Sequence, residues 1–132
     1  MNGCDDRVDC LHGDVFEVLR SLHERGERFD LVIADPPAFA RRKRDLKSAR
    51  EAYRRLNRLA MRVLGDDGLL FSASCSSHLD SQGLKDALRH AASHAQRQIV
   101  LLESGHQGPD HPVHPAMNES AYLKAFLVRV SA

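Results

Sequence analysis

No stretch of this 132-residue chain approaches the roughly 20 apolar residues of a membrane-spanning helix, and the opening Met1-Asn2-Gly3-Cys4 has no signal-peptide character. Both absences point to a cytoplasmic protein. Cysteine is scarce as well: Cys4, Cys10 and Cys75, an odd number without regular spacing, exclude a disulfide framework and suit a reducing compartment. His106, His111 and His114 with Asp110 match no usual metal-ligand spacing, and no cysteine lies near them in sequence, so no metal is expected. Acidic residues nearly vanish between positions 41 and 62, where Asp45 and Glu51 face ten of the chain's 19 basic residues. The net charge of +1 hides that segregation. Such a patch attracts phosphate, although a solvated helix face is the commonest fate of a charge run.

What is present fits one soluble α/β domain, with 42% hydrophobic and 28% charged residues. The chain is arranged around Phe29-Asp-Leu-Val-Ile-Ala-Asp-Pro-Pro-Ala-Phe39. Its apolar run has strand length and two β-branched members, which suits a strand buried on both faces of a parallel sheet. Pro36 and Pro37 end it, because neither can donate to a ladder. Asp35 then lies at the carboxyl end of a central strand, the edge where open α/β sheets bind ligands.

Around this strand the periodicity predicts the remaining elements. Val8, Cys10 and Leu11 alternate enough for a short strand. Asp14 with Glu17 three residues on reads as a capping box, opening a helix that stops at Gly26. A second helix carries Ala49, Ala52, Tyr53, Leu56, Leu59, Ala60, Val63 and Leu64 on one face, with Arg50, Arg54, Arg58 and Arg62 at four-residue intervals on another. Gly65-Asp66-Asp67-Gly68 is expected to be a turn, followed by a strand over 69–74. A helix over about 80–95, a strand over 99–102, a long loop over 103–120 and a final strand over 122–130 complete the chain. The last two strands have no helix between them and should pair antiparallel, directly or across a neighbour.

Two constellations carry chemistry. The rigid turn at Asp35-Pro36-Pro37 would hold a carboxylate and carbonyls at the sheet edge, ready to accept from an exocyclic amine or ring N–H, while Phe39 offers a stacking surface; the alternative is a plain strand-ending turn. Cys75, in Ser72-Ala-Ser-Cys-Ser-Ser-His78 after the next strand, would reach the same edge and could serve as a nucleophile. A cysteine packed as a small hydrophobe is its alternative. Arg41, Arg42, Arg44, Arg50, Arg54 and Arg58 would hold phosphates.

Asp35-Pro-Pro-Ala-Phe-Ala40, the basic run after it, Ser74-Cys75-Ser76-Ser77-His78, and the distal His111-Pro112-Val113 and Tyr122-Leu123-Lys124 resemble the C-terminal part of the bacterial 23S ribosomal RNA cytosine-5 methyltransferases. That resemblance implies a PUA domain followed by a class I S-adenosylmethionine-dependent, Rossmann-like domain. It implies that Asp35 and Pro36 orient the base, that Cys75 attacks C6 of cytosine, and that Asp14 and Val15, with Asp35, lie at the cofactor. Such chemistry needs the base out of its stack. The family's glycine-rich turn, its ribose-binding acidic residue and its PUA domain have no counterpart in this sequence, which holds no Gly-x-Gly-x-x-Gly.

The expected fold is therefore the C-terminal part of a Rossmann-like sheet, mostly parallel with an antiparallel final strand, all 132 residues forming a partial methyltransferase domain. The expected function is RNA methylation at cytosine C5. Two rivals stand beside it: amino-methylation of guanine or adenine through the Asp35-to-Phe39 turn, and a non-catalytic nucleic-acid-binding fragment. Without a first strand beside it, the strand at 29–34 would be an open apolar edge, which predicts a homodimer through that edge.

Overall fold

The computed structural model describes residues 5–40 and 42–132. Four strands, β1 (Phe29–Ala34), β2 (Leu64–Ser74), β3 (Gln98–Gly105) and β4 (Lys124–Ser131), form one sheet in the order β1-β2-β4-β3. Helices α1 (Val15–Glu24), α2 (Leu46–Arg62) and α3 (Ser81–Ala95) alternate with the first three strands. β1 and β2 run parallel, and β4 is antiparallel to both β2 and β3. Three strands thus share one direction and the final strand inserts against them, as the missing helix between β3 and β4 requires.

The helix boundaries follow local chemistry. Asp14 Oδ1 accepts from the backbone N–H of Phe16 and Glu17 at 2.9 and 3.2 Å, and Gly26 leaves α1 with a φ of 76° that a side chain would resist. Asp80 caps α3 by accepting from Gly83 N–H at 2.7 Å. The apolar faces of α2 and α3 pack on Leu70, Phe126, Val128 and Val130, giving a core that includes Tyr53, Leu56, Leu64, Leu84 and Leu88.

Four expectations need correction. Val8 to Leu11 is not a strand: these residues are exposed and join no ladder, because nothing lies beside them to satisfy a strand's backbone groups. Residues 65–68 are a bulge inside β2 and not a turn before it. Phe29 faces Leu64 while Leu31 faces Leu69, Asp67 takes a φ of 56°, and Arg97 stabilises the excursion by donating to the carbonyls of Gly65 at 2.7 Å and Ser131 at 3.0 Å. β1 is not buried on both faces, since it has one strand neighbour and the helices cover one side of the sheet; Leu31 and Ile33 are 48% and 64% exposed. The row Ile33, Phe71, Leu127 continues that open side across three strands. β3 also runs on to Gly105, shortening the loop that was expected to begin at Glu103.

Candidate active site

The parallel register of β1 and β2, with Ala34 opposite Ser72, brings the turn after β1 and the turn after β2 to one sheet edge. Asp35 leaves β1 into the first turn, and Cys75 follows β2 directly in the second, half-buried. The expectation that the two share an edge is met. β4 runs the other way, so its first residue, Lys124, paired with Ser74, arrives at that same edge.

The turns are tied together. Ser76 Oγ donates to the carbonyl of Ala40 at 2.9 Å, both residues buried. Ser74 Oγ donates to Tyr53 Oη at 2.9 Å, and the Tyr53 ring meets Phe39 edge-on with centroids 4.8 Å apart. Lys124 Nζ donates to the carbonyl of Ser76. Burial pushes the Tyr53 hydroxyl above its usual pKa, with the neighbouring Cys75 and Asp35 charges adding to it and the Ser74 hydrogen bond opposing. Burial likewise lowers the Lys124 ammonium, while Cys75 and Asp80 oppose the shift.

Beside this edge lies a hollow of about 490 Å³ between α1, β1 and α2. Asp14, Val15, Asp35, Pro36, Pro37 and Phe39 are among its lining residues, so the structure gathers Asp14 and Val15 with the Asp35 turn although 21 positions separate Asp14 from Asp35 in the sequence. Val32, Leu56 and Ala60 supply apolar wall. Phe39 lines the hollow but also packs on Tyr53, so one edge of its surroundings is already taken.

The basic residues divide. Arg41 lies outside the described residues. Arg42 and Arg44 are exposed around a short 3₁₀ turn, Lys43–Asp45, that leads into α2. Arg44, Arg50 and Arg54 line an open cleft of about 810 Å³ with Lys43 and Lys47, and Glu51 is the acidic residue of that lining, 3.6 Å from Arg54. Nε of Arg54 and of Arg58 are shielded from solvent without an acceptor. The described residues include no group of three or more His, Cys, Asp or Glu side chains able to hold a metal ion.

Sequence reasoning missed Tyr53, Ser76 and Lys124 as members of the site. Tyr53 reads as one more apolar position of α2, Ser76 as a flank of Cys75, and Lys124 as part of the Tyr122-Leu123-Lys124 motif within the expected strand over 122–130; only the pairing of β4 with β2 places the lysine here.

No protein-family model matches the chain. Among curated proteins it is 37% identical over 131 residues to ribosomal RNA large subunit methyltransferase I of Shewanella denitrificans, covering 98% of this chain and 33% of that protein. It is 39% identical over 131 residues to the protein of that name from Erwinia tasmaniensis, and 40% identical over 121 residues to that from Photobacterium profundum, covering 98% and 92% of this chain, and 33% and 30% of those proteins. The chain thus spans about a third of the length of the relatives it matches. Among solved structures, SMU.776 complexed with SAH aligns over 89% of this chain and 30% of that one, with a TM-score of 0.74 and 23% identity. A methyltransferase homologue from Pyrococcus horikoshii aligns over 90% of this chain and 43% of that one, with a TM-score of 0.62 and 18% identity. The chain is similar in sequence to ribosomal RNA methyltransferases, and its mixed α/β sheet has the fold seen in methyltransferase structures.

Proposed function

We propose that this chain carries the nucleophile and base-binding part of an S-adenosylmethionine-dependent RNA methyltransferase that acts at C5 of cytosine in 23S ribosomal RNA. The observation that carries this reading is the meeting of Asp35 and Cys75 at one sheet edge, their turns pinned by the Ser76-to-Ala40 hydrogen bond. The names of the curated relatives support ribosomal RNA as substrate. The resemblance of the Asp35 and Cys75 motifs supports cytosine C5.

The hollow beside Asp35 fits part of the methyl donor. Its apolar wall suits the flat adenine ring, and the Asp14 and Asp35 carboxylates offer acceptors. Asp14, Val15 and Asp35 would hold the donor, and S-adenosylmethionine supplies the methyl group when bound. The protein's own residues do the rest. Asp35 and the carbonyls of the proline turn accept from the exocyclic amine and orient the base. Cys75 Sγ, as thiolate, gives its electron pair to C6, and the pyrimidine becomes electron-rich at C5. Arg42, Arg44, Arg50, Arg54 and Arg58 pair with backbone phosphates.

The amino-methyltransferase reading has one observation in its favour: Phe39 and Asp35 line the same hollow, as a purine clamp would need. A trapping experiment separates the two. RNA containing 5-fluorocytosine, incubated with the chain and S-adenosylmethionine, should give a covalent adduct that survives denaturation, maps to Cys75 and disappears in Cys75→Ala. Methylation of an exocyclic amine without any adduct would establish the rival. We also propose that β1 pairs with β1 of a second copy, since among the described residues its outer backbone groups have no strand partner.

A further inference from the structure

We propose that Lys124 is the counter-cation of Cys75, so that the nucleophile works as a thiolate–ammonium pair. The inference rests on the assignment of Cys75 as nucleophile, and it adds a residue from the antiparallel strand to that chemistry.

Lys124 is 8% exposed, an unusual place for an amine that water would otherwise solvate. It occupies the first position of β4, opposite Ser74, and its Nζ donates to the carbonyl of Ser76. The two residues it engages thus flank Cys75 on either side in the sequence. A surface lysine would leave such a position by extending into solvent, but the ladder between β2 and β4 fixes the backbone here and the hydrogen bond holds the tip. The charged groups that act on it are Cys75 and Asp80. Asp80 is already engaged as the N-cap of α3, its Oδ1 receiving the Gly83 N–H at 2.7 Å. Cys75 is the one of the two that lies between Ser74 and Ser76, the residues that Lys124 pairs with and donates to.

The step balances with solvent water as the proton acceptor. The S–H bond of Cys75 breaks and its proton passes to solvent water, while the Lys124 ammonium balances the thiolate left behind. The electron pair left on sulfur forms the bond to C6 of the pyrimidine. One ammonium N–H still reaches Ser76, so the loop keeps its geometry while the charge on sulfur changes.

Alkylation kinetics test this independently of RNA or methyl transfer. The chain is treated with iodoacetamide at neutral pH and modification of Cys75 is followed by peptide mass spectrometry, with the exposed Cys10 as an internal reference. Lys124→Met should slow Cys75 about tenfold relative to Cys10, because the thiolate loses its cation. Lys124→Gln, which can still donate to Ser76 but carries no charge, should be slow as well. Lys124→Arg should recover most of the rate. Equal rates in wild type and Lys124→Gln would overturn the proposal and leave the lysine a loop tie. A Cys75 adduct with 5-fluorocytosine RNA alongside unchanged alkylation would sink the lysine's role alone. Slowed alkylation without any adduct would keep the pair and remove the cytosine reading.

Discussion

Ser76 Oγ donates to the carbonyl of Ala40 across 36 positions of sequence, at 2.9 Å and out of solvent. That bond fastens the turn carrying Cys75 to the turn carrying Asp35. Ser76→Ala would leave the Ala40 carbonyl without this donor, at a cost of about 1–3 kcal/mol. A urea titration should place the loss in the midpoint with an unchanged slope. Methyl transfer should fall further than RNA affinity, because the two turns would no longer be held in register.

Tyr53 gives a pH signature. Its hydroxyl stays protonated in the fold to a higher pH than in the unfolded chain, where it ionises near 10. Above about pH 10 the unfolded state therefore binds fewer protons than the native state, and stability falls as pH rises. Lys124 works in the opposite sense. Its folded-state affinity for protons is lowered, so it costs stability below its folded value and returns it as pH rises toward about 10.4. Comparing urea midpoints of wild type and Tyr53→Phe between pH 9 and 11 isolates the tyrosine: the variant should lack its share of the alkaline decline and lose about 1 kcal/mol at pH 7 with the Ser74 hydrogen bond. Parallel curves for the two proteins would contradict the assignment.

The arginine stripe is an electrostatic prediction. Replacing Arg50, Arg54 and Arg58 with Gln should weaken RNA binding similarly across sequences. Each lost phosphate contact should flatten the log–log salt dependence by about 0.7 to 0.9. Fluorescence anisotropy at several salt concentrations measures both. An unchanged slope would make the stripe a solvated helix face, with the acceptor-less Nε atoms of Arg54 and Arg58 satisfied in some other way.

The open edge of β1 predicts self-association. Sedimentation at micromolar concentration should give a dimer, and Ile33→Lys, which puts a charge on an exposed edge position, should give a monomer. A wild-type monomer would rule out pairing through β1.

Local chemistry makes much of this molecule legible in its sequence. The Asp14 cap, the stop at Gly26, the proline-ended strand and the amphipathic α2 each depend on interactions within a few residues, and the sequence determines those directly. The mostly parallel sheet with its antiparallel final strand followed from where the chain had a helix to cross over and where it had none. Tertiary structure decided the rest. Whether residues 8–11 become a strand depends on a neighbour, and so does whether β1 is buried or lies open. Residues 65–68 carry every local mark of a turn, yet Arg97, some thirty positions later, supplies the donors that let them stay within β2 as a bulge. Lys124 is the clearest case: an ordinary basic residue in the sequence, it is desolvated beside Cys75 because antiparallel pairing sets its strand's first residue against the last residue of β2, and hydrogen-bond register between distant segments is fixed by the packed sheet as a whole.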